Sequence, residues 1–209
     1  MQFVLQLAEM LVGDSVETRP SLLIRIRDAD DSLAWNQFIE IYAPLIHRFA
    51  CKHGLQDADA ADLTQEVLRS VARSIGGLNY DPKIGRFRGW LLTVARNKLR
   101  NFFSRSGKTP RGSGDTAVKD MLDNHPSQDN SDEQFWEQEY EQRLFEWAAD
   151  RIKDRFQEST WQAFWLTSVE QRSAKETADS LSITVGAVYI AKSRVVAKLR
   201  ETLEQIGDR

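Results

Sequence analysis

A chain of 209 residues, 41% of them hydrophobic, can bury one large core or two small ones. Its net charge of −3 argues against a protein that coats nucleic acid by charge alone, and a single cysteine, Cys51, excludes an internal disulfide. With no secretory leader and no apolar run of the roughly 20 residues a membrane span requires, a cytoplasmic protein without membrane insertion is expected.

The opening MQFVLQLAEMLVG is apolar but interrupted by Gln2, Gln6 and Glu9, and residues 1–20 are read as an N-terminal extension. From there Leu33, Phe38, Ile41, Tyr42, Leu45, Ile46 and Phe49 recur at three- and four-residue spacing, which predicts one buried helical stripe with a kink at Pro44. His47 and Cys51 share a face of that helix and His53 follows. No fourth metal ligand accompanies them, so a buried Cys51 beside two ordinary histidines is expected in place of a zinc site. The stretch DADAADLTQEVLRSVARSI repeats the period through Leu63, Val67, Leu68, Val71 and Ile75, and Gly76 and Gly77 end it. After the polar loop LNYDPKIGRFR, RGWLLTVARNKLRNFFSR predicts a third helix, with Leu91, Val94, Ala95, Leu99 and Phe102 inward and Trp90 opening the stripe.

Charge is segregated along the chain. Every charged residue from Lys83 to Arg111 is basic, whereas from Asp115 to Glu146 acidic residues face only Lys119 and Arg143. Gly, Pro, Ser, Asp and Asn concentrate between Ser106 and Asp132, which predicts a flexible linker over 107–131. Beyond it, EQFWEQEYEQRLFEWAADRI and STWQAFWLTSV read as helices.

The stretch SAKETADSLSITVGAVYIAKSRVVAKLRE then reads as two short helices hinged by a turn. Ala178 is small where the helices cross, Ser182 and Ile183 sit at the turn, and Thr184 is suited to cap the second helix. Val188, Ala191, Val195 and Leu199 form its inward face, while Gly186, Ala187, Tyr189, Ile190, Ser193 and Arg194 lie wholly or partly outward. Lys192, Arg194, Lys198 and Arg200 add a second basic cluster, and the whole reads as a DNA-binding helix-turn-helix. No segment sustains period-two alternation. The expected fold class is all-α, two small helical domains at 21–106 and 132–209 joined by the linker.

DAADLTQEVLRSVAR followed by FRGWLLTVARNKLRNFFSR resembles region 2 of bacterial RNA polymerase sigma factors of the sigma-70 family, and ETADSLSITVGAVYIAKSRVVAKLRE resembles region 4. Together they resemble the small extracytoplasmic-function (ECF) group, which keeps only those two regions, and the likeness runs over roughly Leu22 to Arg105 and Glu133 to Leu203 in the family's order. The resemblance implies a factor that binds core RNA polymerase through its β′ and β subunits and guides it to promoter DNA. In similar proteins the acidic helix docks on a basic coiled coil of β′. The matching residues here are Asp62, Gln65 and Glu66, at i, i+3 and i+4, which can accept charge-assisted hydrogen bonds from arginines.

The helix of the basic island and the loop before it are similar to those that hold the unpaired −10 strand. Arg96, Asn97, Arg100 and Asn101 share one face, and the loop adds Asn79, Tyr80, Lys83, Arg86 and Phe87, combining charge for phosphates with rings for bases. The −35 element falls to Thr184, Gly186, Ala187, Tyr189, Ile190, Lys192, Ser193, Arg194 and Lys198, the last four being the phosphate set. Gly186 and Ala187 let the helix N-terminus approach the groove, where a methyl can meet thymine, and groove shape supplies further recognition. The helix departs from the usual family pattern at Tyr189, Ala191 and Lys192, where Lys, Arg and Leu are more common. Anti-sigma factors are common partners of similar proteins, and the resemblance extends that expectation to this chain.

No Gly-rich phosphate loop, HExxH motif or nucleophile–base pair is present, so neither catalytic activity nor a cofactor or metal is expected. The rival reading is a free-standing helix-turn-helix repressor or activator, which has no need of DLTQE followed by a basic island.

Overall fold

The computed structural model describes residues 22–77, 87–106 and 130–204. Asp31 starts the first long helix: its carboxylate accepts from the Ala34 N–H at 2.9 Å and pairs with Arg25 at 2.9 Å. Arg25 closes α1 (Leu22–Arg25), and Asp31 caps α2 (Ser32–Lys52). The inward stripe of α2 begins at Ala34 and runs through Phe38, Ile41, Tyr42, Leu45, Ile46 and Phe49. Leu33, expected in that stripe, is instead 75% exposed, because it lies in the first turn on the far side from Ala34 and Phe38. Pro44 sits inside α2 as part of one 21-residue helix, with the buried stripe continuing in register on both sides.

Helix α3 (Asp57–Ser74) passes into a 3-10 turn at Ile75–Gly77, and α4 (Phe87–Ser106) completes the helices that the apolar period predicts before the linker. Among the described residues there is no strand, in agreement with the all-α expectation. Beyond residues 107–129 come α5 (Asn130–Ile152), a 3-10 turn at Lys153–Arg155, α6 (Glu158–Ser168), α7 (Ala174–Leu181) and α8 (Val185–Glu204).

The chain forms two compact units, with the division after Tyr140. The start of α5, through Tyr140, packs with the first unit. Aromatic rings explain why. Trp136 and Tyr140, each 1% exposed, face Phe49 at 5.3 Å and Tyr42 at 5.6 Å between ring centroids. Phe38, Tyr42 and Phe87 complete the same cluster, at 4.6 to 6.0 Å from one another.

Charge reinforces this packing. Asp132 is buried, and its Oδ1 lies 3.0 Å from Lys52 Nζ and 3.2 Å from His53 Nε2, while Oδ2 lies 3.5 Å from Arg96 Nε. Burial acts against its charge, but the adjacent His53 imidazole and the hydrogen bond from Lys52 outweigh it and hold the carboxyl well below the usual carboxylate range. Arg88, also buried, donates from Nε to both Glu137 oxygens at 3.0 and 3.2 Å and lies 4.4 Å over the Tyr140 ring. Arg48 donates to Glu139 at 2.8 Å.

Because the folded-state pKa of Asp132 is depressed, its contribution is complete above the unfolded value of about 4 and is lost as pH falls from there toward the folded value. Asp132→Asn should cost about 1–3 kcal/mol at neutral pH. In thermal melts from neutral to strongly acid pH, the gap between native protein and variant should close below about pH 4; a gap independent of pH would show that the charge of Asp132 is not what matters.

Candidate nucleic-acid and protein interfaces

Helix α3 is amphipathic with a sharp division. Leu63 and Val67 are buried, and Asp62 and Gln65 are exposed with Glu66 half-buried beside them, so the three predicted partner-binding residues do share one outward face. Gln65 Oε1 accepts from Arg69 at 2.8 Å and Glu66 lies 3.7 Å from Lys98 of α4, whereas Asp62 has no ion-pair partner among the described residues. Two acceptors and one uncommitted carboxylate form a surface suited to a basic partner.

On α4, Asn97, Arg100 and Asn101 are exposed. Arg96, predicted to share their role, is half-buried and faces α5, 3.5 Å from Asp132 and 3.6 Å from Glu133. Phe87 is corrected outright as a base-stacking candidate. It is 1% exposed and packs edge-on against Phe38 and Tyr42, because the first turn of α4 lies over the aromatic core and the ring has no face left for a base. Asn79, Tyr80, Lys83 and Arg86 lie outside the described residues. Trp90 is half-buried and tilted against Phe87 at 5.3 Å, a shoulder of the core.

The helix-turn-helix is assembled by local chemistry. Ser173 and Glu176 form a reciprocal capping box, with Glu176 N–H donating to Ser173 Oγ at 3.2 Å and Ser173 N–H to Glu176 Oε2 at 3.0 Å. Glu176 is thereby held below its usual pKa, chiefly by the Ser173 hydroxyl. Ser182 takes the left-handed conformation, φ 54° and ψ 41°, that ends α7. Across it the axis turns by 102°, within the range of helix-turn-helix pairs. Thr184 Oγ1 accepts from Ala187 N–H at 3.1 Å and caps α8, so its oxygen is already engaged. Ala163, Ala178, Val188 and Ala191 form the core where α6, α7 and α8 meet, and their small size permits the close crossing.

The outward side of α8 carries the predicted DNA residues. Gly186, Tyr189, Ile190, Ser193 and Arg194 are exposed, and Ala187, Lys192 and Lys198 are half-buried. Lys198 lies 2.7 Å from both oxygens of Glu201, so its charge is answered locally. Lys192 and Arg194 have no carboxylate partner among the described residues. Val185, 40% exposed, joins this surface although its apolar character alone gave no reason to place it there; its spacing of four from Tyr189 was the available signal.

Cys51, expected to be buried, is exposed, because it follows Ala50 on the flank of the stripe. Its sulfur lies 3.8 Å from His47 Nδ1, and partial desolvation with the nearby Asp57 raises its pKa, which leaves it a thiol. Among the described residues no group of three or more side chains could hold a metal ion.

Residues 38–109 match the family model described as Sigma-70 region 2. Over 173 residues the chain is 28% identical to the ECF RNA polymerase sigma factor SigE of Mycolicibacterium smegmatis, a match covering 81% of this chain and 62% of that protein. Over 192 residues it is 26% identical to the ECF RNA polymerase sigma factor BldN of Streptomyces coelicolor, covering 91% of this chain and 68% of that protein. The chain thus spans less than two thirds of the length of the first of these relatives.

Removal of the capping box tests how far the helix-turn-helix depends on local contacts. Ser173→Ala should destabilise the second unit by about 1 kcal/mol, read as a lower midpoint in urea monitored at its tryptophans; an unchanged midpoint would mean that tertiary packing alone sets the start of α7.

Proposed function

We propose that this chain is a member of the ECF group of the sigma-70 family, and that it binds core RNA polymerase, directs it to specific promoters and assists their opening. The observation that carries this reading is the outward row Asp62, Gln65 and Glu66, set within the matched region 38–109 and followed, in a separate unit, by a helix-turn-helix. A free-standing repressor accounts for the second feature and leaves the first without a task.

In this reading the acidic row of α3 accepts hydrogen bonds from a basic element of the β′ subunit, and β is the further polymerase contact. Asn97, Arg100 and Asn101 meet the opened −10 strand, charge on phosphate and amides on base edges. Arg96 joins them by exchanging Asp132 and Glu133 for a phosphate. Asn79, Tyr80, Lys83 and Arg86 complete that contact, while Phe87 supports it from the core. Helix α8 enters the major groove of the −35 element, with Lys192, Ser193 and Arg194 on phosphates. The protein acts by binding alone, without catalysis, in the cytoplasm where polymerase works, and an anti-sigma factor is a fitting antagonist. Among the described residues no single helix is long and apolar enough to cross a membrane.

Gel filtration of the chain with core polymerase tests the carrying observation. Asp62→Ala with Glu66→Ala removes two acceptors from the outward face, so the fold should stay within about 0.5 kcal/mol of native while polymerase affinity falls at least about tenfold. Unchanged affinity would refute the interface, and no association by the native chain would favour the repressor. Arg194→Ala should leave polymerase binding intact, weaken promoter binding across sequences and reduce the salt slope by about one. Equal loss of both would end the division of labour between the two units.

A further inference from the structure

Helix α8 spends an unusual amount of apolar surface on water. Tyr189 is 61%, Ile190 59% and Val185 40% exposed, half of the large hydrophobic residues exposed among those described, within its first six residues. At about 100° per residue, the side opposite buried Val188, Ala191 and Val195 is a line through Gly186, Tyr189, Ile190 and Ser193, with Val185 at its upper edge. Lys192 and Arg194 fall on the two margins of that line, and neither has a carboxylate partner among the described residues. An apolar ridge between two uncommitted cations fits a polyanion whose floor offers apolar groups, which is what a DNA major groove is where it carries thymine.

The groups that are missing sharpen the assignment. Bidentate reading of guanine needs Arg or Lys aimed at the base, and of adenine Asn or Gln; from 185 to 191 the sequence holds none of these. Thr184 has committed its oxygen to the helix cap. Beside the Tyr189 hydroxyl, methyl, methylene and ring surface make up the ridge, and the base feature in the major groove that such apolar surface recognises is the thymine C5 methyl. Gly186 leaves the ridge free to approach: a Cβ there would meet nothing nearer than Thr184 Oγ1 at 3.9 Å, so its absence is not required by the chain's own packing.

Resting on the proposed promoter-binding role, we infer that Tyr189 and Ile190, flanked by Val185, read thymine methyl groups in the upstream promoter element. Random duplexes are selected separately with the full chain alone and with holoenzyme assembled from core polymerase. Each thymine of the selected site is then replaced by deoxyuridine, which removes only the methyl.

At one or more positions the replacement should lower affinity about fourfold, the worth of one buried methyl-sized group, and Ile190→Ala or Tyr189→Ala should bind the thymine and deoxyuridine duplexes alike. Both positions are exposed, so both variants should fold. Equal affinity for thymine and deoxyuridine at every position would overturn the inference, as would sites without A·T pairs or a failure to select any duplex. If either variant instead loses core polymerase binding, the ridge is a protein contact and the inference falls. Methyl discrimination by the chain alone, without any association with polymerase, would sustain the methyl reading while defeating the proposed function.

Discussion

A charge almost withdrawn from water must keep its partners or lose its place, and Asp132 is such a charge. Its partners come from elements far apart in sequence, Lys52 and His53 at the end of α2 and Arg96 on α4. Satisfying one carboxylate therefore brings the start of α5 against two other helices. Trp136 and Tyr140, one and two turns on, convert that position into aromatic packing, and Arg88 and Arg48 answer the carboxylates that follow. The same geometry explains why α4 keeps three of its four outward polar residues at the surface while Arg96 turns aside.

What could be read beforehand was whatever depends on neighbours in sequence. The inward stripes of α2, α3 and α8 follow from the helical period, and the turn from Ser182 and Thr184, because cap and turn chemistry act over three or four residues. The destination of the acidic run was not legible. It is segregated from the basic island along the chain, yet Glu137 pairs with Arg88 across 49 residues and Glu139 with Arg48 across 91. A one-dimensional charge pattern does not say whether opposite runs meet. The spacing of four from Trp136 to Tyr140 was a visible sign of an inward face. Phe87, Cys51 and Leu33 were misplaced for a related reason: each sits at an end or flank of an element, where one turn of helix decides between core and water.

The two candidate DNA surfaces each mix compensated and uncommitted cations. On α4 Arg96 is already compensated within the protein, so contact with phosphate there is an exchange of partners, while Arg100 has no ion-pair partner among the described residues. On α8 Lys198 is answered by Glu201, while Lys192 and Arg194 are uncommitted and offer their full charge to an incoming polyanion. Salt should therefore act more directly on encounters at α8 than on those at Arg96.

Gly186 has an implication for how such a protein can diversify. The residues that hold α8 in place point one way, toward Ala163 and Ala178, and those that meet the outside point the other, with open space where a side chain at 186 would begin. Changes at 186, 189, 190 and 193 are thus nearly silent in the core, and under the proposed function the scaffold carries an exchangeable reading head. Duplicated copies of such a chain could drift to new target sequences without passing through unstable intermediates, the circumstance in which a family of regulators multiplies.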